Sequence, residues 1–186
     1  MIITISGDIG SGKSTTGKLL ASTLGYKYLS TGNIQRKIAE EMNLTTLELN
    51  LLSERMTEID DKIDAYTMAL NEAEEDYVVD SRLAWHFIPD SYKVFLRCGD
   101  EVAASRIFRD GDRFSDEDVN NEEILLGKIK ERRESEKRRF LEKYNVDFQN
   151  LEHYDFIIDS SFFTPLEIVE MILKGMDFYF KQAETK

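Results

Sequence analysis

Gly7-Asp8-Ile9-Gly10-Ser11-Gly12-Lys13-Ser14 is the stretch on which the reading of this chain turns. It fits G-x-x-x-x-G-K-[ST], a phosphate-binding loop. It follows a buried-looking strand, Met1 to Ser6, and precedes a helix opening near Lys13. That is the context the motif requires. A polyphosphate needs backbone donors at close range. Glycines at 7, 10 and 12 let the chain wrap an anion without side-chain clashes. The helix that follows aims its unpaired N–H groups and its positive end at the same place. Lys13 can bridge β- and γ-phosphates, and the Ser14 hydroxyl can hold Mg²⁺. The nucleotide-binding set read from this stretch is Gly7, Asp8, Ile9, Gly10, Ser11, Gly12, Lys13, Ser14 and Thr15.

Working outward, the chain has 186 residues, a length expected to form one domain over 1–186. Hydrophobic content of 41% and charged content of 32% describe a soluble globular protein. Cys98 is the single cysteine, so no disulfide forms within the chain and a reducing compartment is expected. It reads as a core residue, since no base accompanies it locally. No signal peptide is read at the start, and no apolar stretch approaches membrane-spanning length. The expected location is therefore cytoplasmic. A net charge of −12 argues against nucleic-acid binding. Yet seven of the eleven arginines lie between Arg106 and Arg139. That concentration suits a concentrated anion such as a phosphate in transfer. The plainer reading is a surface helix whose Glu and Arg residues pair at i, i+4.

Five short apolar runs read as buried parallel strands: Met1–Ser6, Tyr26–Leu29, Tyr77–Asp80, Val94–Cys98 and Phe156–Asp159. Helical patterns separate them: Lys13–Leu24 stopped by Gly25, Ile34–Met42, a long region Thr45–Glu75, Asp100–Arg109 ending at Gly111, and Asn121–Tyr144. Pro165 suits the first position of a last helix, with Thr164 as its cap. The alternation predicts an α/β fold with a five-stranded parallel sheet flanked by helices. Two segments exceed a minimal core, 33–75 and 110–145. They read as flaps over the site or as packing helices.

Strand ends in such sheets face the ligand crevice. The second strand runs into Ser30-Thr31-Gly32, with Arg36 one turn into the next helix, where a guanidinium can grip a second phosphate. The third strand ends at Asp80, an acid placed to hold Mg²⁺ through water or simply to cap a turn. Arg82 reaches the same crevice. Trp85, His86 and Phe87 could stack on a base, although aromatic clusters more often build core.

These residues carry a resemblance. The chain resembles nucleoside monophosphate kinases, most closely the short archaeal form of cytidylate kinase. The likeness runs nearly end to end, through Met1–Gly7, the phosphate loop, Ser30-Thr31-Gly32 with Arg36, Asp80-Ser81-Arg82-Leu83-Ala84-Trp85, the run Ile129 to Arg139, Tyr144–Asp147 and Tyr154–Ser161. The resemblance implies a P-loop kinase fold with a helical acceptor-binding insertion and a lid. It implies ATP as phosphoryl donor, Mg²⁺, and nucleotide substrates. Thr31, Arg36 and Arg82 would hold the acceptor. Arg132 and Arg139 would grip the transferring phosphoryl, and with Lys13 they form the catalytic set. Glu136 would accept from the acceptor's ribose hydroxyls. Arg106 and Arg109 would lie at adenine or the ATP phosphates. The chain departs from the family pattern at Asp8, Asn33, Ser81, Leu83 and Gly111-Asp112-Arg113-Phe114. Leu83 stands where the bacterial type has a base-contacting acid, which leaves the base preference open.

The implied activity is phosphorylation of CMP or dCMP by direct in-line transfer from ATP. Two rivals remain at this level. One is a P-loop kinase acting on another monophosphate or a small metabolite. The other is a nucleotide-binding regulatory module with little turnover. Oligomeric state is left open, with a monomer compatible.

Overall fold

The computed structural model describes residues 1–53, 56–110 and 122–183. Five parallel strands form one sheet: β1 (Ile2–Gly7), β2 (Lys27–Ser30), β3 (Tyr77–Asp80), β4 (Tyr92–Arg97) and β5 (Phe156–Asp159), in the spatial order β2-β3-β1-β4-β5. Every neighbouring pair is parallel, with Ile5 level with Asp80 on one side and Val94 on the other. The order reverses direction beside β1, so the crevice at its carboxyl end lies between outward-winding halves. Ligands bind at that point in open α/β sheets. The loop 7–14 leaves β1 there.

Burial explains why the sheet is covered on both faces. Ile3, Ile5, Val78, Val94 and Leu96 face α1 (Lys13–Leu24) and α8 (Pro165–Ala183) through Leu20, Ala21, Ile168, Val169 and Ile172. Phe95 and Val79 point the other way. Phe95 packs with Leu83, Phe140, Phe148 and Tyr154, and Val79 with Leu70, Ala84 and Ile88. A side-chain period of two sends neighbours to opposite faces, and both are apolar. The remaining helices are α2 (Thr31–Glu41), α3 (Thr46–Ser53), α4 (Thr57–Met68), α5 (Ala84–Phe87), α6 (Asp100–Asp110) and α7 (Glu122–Tyr144). Among the described residues no helix is long and apolar enough to cross a membrane.

Sequence and structure agree on all five strands, with shifts of one or two residues at their ends. Cys98 falls just past β4 and is buried. The last helix opens as read: Thr164 Oγ1 accepts from Glu167 N, and Glu167 reaches back to Thr164 N at 2.8 Å, a reciprocal capping box. The helical region read over 45–75 is resolved into separate pieces. The chain breaks between α3 and α4, with Met56 extended at the start of α4, and finishes in a short 3₁₀ turn, Ala69–Glu72. An unbroken helix of that length would run on the order of 45 Å. Folding back lets Leu49, Ile59 and Ile63 meet one another and Ala39 in a small core of their own. Gly111-Asp112-Arg113-Phe114 lie outside the described residues.

Two glycines carry different burdens. A Cβ on Gly7, at φ 144°, would sit 2.2 Å from the Leu96 carbonyl oxygen. Gly25 ends α1 at φ 72° with nothing within 4 Å of such an atom. Gly25→Ala should cost about 1–2 kcal/mol, the left-handed penalty alone. Gly7→Ala adds collision with backbone to strain and should cost about 3 kcal/mol or more. Urea unfolding of the two variants checks the difference.

Candidate active site

The phosphate loop is fixed from outside, which leaves its backbone free to face a ligand. Ile9 is buried against Ala103, Ala104 and Ile107 of α6 and Leu125 and Ile129 of α7. The Asp8 carboxylate accepts from Cys98 N at 3.0 Å through Oδ2, and its Oδ1 lies 4.0 Å from Arg133. Asp8 therefore offers the cradle main chain, while its side chain ties the loop to the end of β4. Gly10 and Gly12 have φ of 75° and 82°. Gly12 begins α1 without any side-chain cap, and the first turn carries no acid. The leading N–H groups of α1 and its positive end are thus presented to the cradle, an arrangement suited to an anion.

Lys13 is buried at 8% exposure, and its ammonium donates to the carbonyls of Gly7 at 2.9 Å and Asp8 at 2.6 Å. Burial, then the nearby Arg82, push its pKa down to about 7, against the pull of Asp80, Glu136 and Asp8. An anion arriving in the cradle favours the charged form again. One residue on, Ser14 Oγ donates to Asp80 Oδ2 at 2.6 Å. The same oxygen takes Tyr28 Oη at 3.0 Å and Ser30 Oγ at 3.3 Å. Thr31 Oγ1 reaches the Asp80 carbonyl at 3.4 Å. Hydroxyl and carboxylate oxygens side by side are the hard donors a hydrated Mg²⁺ takes, and one or two protein ligands suffice when phosphates supply others.

The arginines come from the opposite side. Glu136, on α7 and 3% exposed, accepts from Arg82 Nε at 2.8 Å and from Arg132 Nε at 3.0 Å. Burial alone would raise its carboxyl. Arg82, Arg132 and Arg139 reverse that and hold it at about 2. One carboxylate between two guanidiniums leaves this trio net positive, in a protein whose overall charge is −12. Arg82 is set in turn by its own carbonyl, which accepts from Ser6 Oγ at 2.7 Å and Trp85 Nε1 at 3.0 Å.

The structure brings together Lys13, Ser14, Asp80, Arg82, Arg132 and Glu136. Other expected residues stand elsewhere. Arg139 is buried with Nε 3.4 Å from Asp60 of α4, toward the insertion. Arg36 is exposed on α2, bonded to Asn33 and folded over Gly32. Arg106 donates to the Ser160 carbonyl at 2.7 Å and approaches the Gly10 carbonyl at 3.5 Å. It walls a cleft of about 180 Å³ beside the loop with Thr15, Phe163 and Pro165. Arg109 is exposed one turn further along α6. Glu136 meets arginines first, although its carboxylate has lone pairs left for hydroxyls. Leu83 and Trp85 are core, packed with Phe95 and Phe140, so neither faces a base. Sequence reading missed Tyr28, Phe163 and Arg133. The last is bonded to Asp100 and reaches Asp8, a link between α7, α6 and the loop that no local pattern announces.

A parallel sheet of this order, a phosphate loop at its switch point and cations converging from a separate helix define a P-loop phosphotransferase. The comparisons narrow the class. The sequence model of the cytidylate kinase-like family matches residues 2–162, and the chain belongs to that family. It is 36% identical over 181 residues to a cytidylate kinase of Sulfurisphaera tokodaii, covering 96% of both chains. It is 37% identical over 179 residues to one of Archaeoglobus fulgidus, covering 95% of both. Among solved structures, shikimate kinase from Bacteroides thetaiotaomicron superposes with a TM-score of 0.66 at 16% identity, covering 95% of this chain and 98% of that one, which speaks for the fold. The chain is a nucleoside monophosphate kinase.

The Glu136 cluster makes a prediction about stability. Its folded pKa lies below the unfolded value, so its contribution is present above about pH 4.5 and is lost as pH falls toward 2. Glu136→Gln leaves buried guanidiniums facing an amide and should cost about 3–5 kcal/mol at pH 7. The gap from wild type should close between pH 4.5 and 2 in chemical denaturation.

Proposed function

We propose that the protein transfers the γ-phosphoryl group of ATP to CMP or dCMP by direct in-line displacement. One observation carries this reading. Ser6, the residue before the glycine cradle, donates to the Arg82 carbonyl at 2.7 Å, and Glu136 holds the Arg82 guanidinium at 2.8 Å, so a cation from a second element stands beside the cradle and Lys13. Two anions can therefore be held end to end with cations on each side. The naming of the full-length relatives as cytidylate kinases supports cytidylate as the acceptor.

The chemistry asks little covalent work of the protein. An acceptor phosphate oxygen attacks the γ-phosphorus while the bond to the β,γ-bridging oxygen breaks, and the electron pair leaves with ADP. The nucleophile is already anionic, so no general base is needed. What remains is alignment, charge neutralisation and exclusion of water. The cradle from Gly7 to Thr15 and Lys13 hold the donor phosphates. Arg106 and Phe163 line the cleft suited to adenine, and Arg109, exposed one turn further along α6, is assigned to the ATP phosphates. Thr31, Arg36 and Arg82 hold the acceptor. Arg132, on α7, neutralises charge as it spreads over the transferring group, and Arg139 does so from the insertion side. Glu136 positions the arginines and offers its remaining lone pairs to ribose hydroxyls. Mg²⁺, held by Ser14 and through water by Asp80, supplies further neutralisation when bound. In this reading the insertion helices α2, α3 and α4 serve the acceptor side, and α7 serves the donor side. A cytoplasmic setting fits the use of ATP and the lone thiol of Cys98.

The test is ADP release with ATP and Mg²⁺ across CMP, dCMP, UMP, AMP and acceptor-free controls. CMP and dCMP should give the highest kcat/KM. Preference for another acceptor, or negligible turnover with all, refutes the reading. Lys13→Ala should lower kcat by about 10³-fold or more, the scale of a single phosphate-clamping cation. Retention of more than about a tenth of the wild-type rate would contradict that role.

A further inference from the structure

Tyr28 belongs to neither the phosphate loop nor the arginine cluster, yet its hydroxyl ends on the acid assigned to Mg²⁺. It donates to Asp80 Oδ2 at 3.0 Å, an oxygen that also takes Ser14 Oγ at 2.6 Å and Ser30 Oγ at 3.3 Å. Strand geometry brings these groups together. In the pairing of β2 with β3, Tyr28 is level with Val78 and Ser30 with Asp80. Side chains two apart on a strand share a face. Val78 and the Tyr28 ring both pack in the cluster under α1, the helix that carries Ser14. α1 makes room for the phenol. A Cβ on Gly17 would sit 2.9 Å from Tyr28 Cε2. A glycine inside a helix is less stable than an alanine there, so the space for the ring is kept at a cost. Packing alone would ask for a ring; it would not ask for a hydroxyl aimed at a carboxylate that is 5% exposed.

The three hydroxyls have different duties. Ser14 spends its proton on Asp80, which leaves its lone pairs for a cation. Ser30 is shared, because its Oγ also accepts from Asn33 N at 3.3 Å where α2 begins. Tyr28 comes from outside the loop and is tied to Asp80 alone. Among the described residues the Asp80 side chain accepts on Oδ2 only. Loading one oxygen in this way stops the carboxylate from rotating and leaves the other oxygen for water around an ion. We propose that Tyr28 is a positioning residue for the metal: its hydroxyl pins the Asp80 carboxylate, and so keeps the Ser14 proton turned to Asp80 and the Ser14 lone pairs turned to the cation. The inference rests on the reading that Ser14 and Asp80 hold Mg²⁺ beside bound ATP. Partners that orient metal ligands from behind typically change metal affinity about 10- to 100-fold when they are removed.

The experiment is calorimetric binding of the β,γ-imido analogue of ATP, once with Mg²⁺ and once with EDTA, to wild type, Tyr28→Phe and Tyr26→Phe. Tyr26 is the control, since its hydroxyl points to Met1 Sδ at 3.5 Å. Wild type should bind the analogue more tightly with Mg²⁺ than with EDTA. Tyr28→Phe should lower the affinity measured with Mg²⁺ roughly 10-fold or more and leave the EDTA value unchanged. Tyr26→Phe should change neither. A wild-type Mg²⁺ value in Tyr28→Phe overturns the proposal. So does an equal fall in both values, or a Tyr28→Phe protein that does not fold, because the hydroxyl then only braces the structure. Failure of the underlying reading looks different. A wild type that gains nothing from Mg²⁺ refutes the metal site, and one that does not bind the analogue refutes ATP as donor; either takes the role of Tyr28 with it.

Discussion

The site depends on one carboxylate. Glu136 is buried on α7 and gathers Arg82 from the β3 turn and Arg132 from its own helix. Without it, like charges would repel across a low-dielectric crevice, where a pair 4 Å apart costs about 4 kcal/mol at an effective dielectric of 20. With it, the guanidiniums are held close and still outnumber the acid. The crevice becomes a place where an acidic protein attracts phosphate. The same bonds connect the sheet to α7, so the arrangement that builds the site also fixes the helix over it.

The loop opposite is built on a different principle. Its side chains are turned to other work so that its backbone stays available. Ile9 is anchored in a cluster between α6 and α7, and Asp8 is held by Cys98 N. Gly7 approaches Leu96 too closely for any side chain. Ser14 is drawn to Asp80, which Tyr28 and Ser30 also hold. Asp8 N is spent on the Leu96 carbonyl and Ser11 N leans on the Asp8 carbonyl at 3.3 Å, which holds the turn in shape, and dipoles preorganised in this way need little rearrangement when charge develops.

α7 is where the two halves meet. Toward its N-terminal end it buries Leu125 and Ile129 against the loop's Ile9, in its middle it carries Arg132, Arg133 and Glu136, and at its C-terminal end Arg139, Lys143 and Tyr144 meet α4. A helix of 23 residues spans about 35 Å at 1.5 Å per residue. It is long enough to touch donor loop, transfer point and insertion at once. That explains part of its composition: Arg132, Arg133, Glu136, Arg139 and Lys143 face other elements while Glu131, Glu134, Arg138 and Glu142 face solvent, and the Glu–Arg pairing at i, i+4 is present but recruited, since Arg132–Glu136 is such a pair completed by Arg82.

Trp85 was left open between stacking on a base and building core, while the order of the strands, the phosphate loop and the cap at Thr164 were legible in the sequence. Each is local: a turn of glycines, a run of apolar residues or a cap depends on neighbours a few positions away. So was the concentration of arginine in the second half of the chain. What the sequence could not assign was partnership. Nothing near Glu136 says that Arg82, 54 positions back, is its mate, or that Arg139 turns to Asp60, or that Arg133 reaches the loop. The division into α3 and α4 was hidden for the same reason, because the apolar stripe continues from one to the other and says nothing of Leu49, Ile59 and Ile63 meeting Ala39. Periodicity along a chain decides which elements form. Which charges meet across them is decided by how those elements stack, since a buried ion must find its partner wherever the fold brings one within reach.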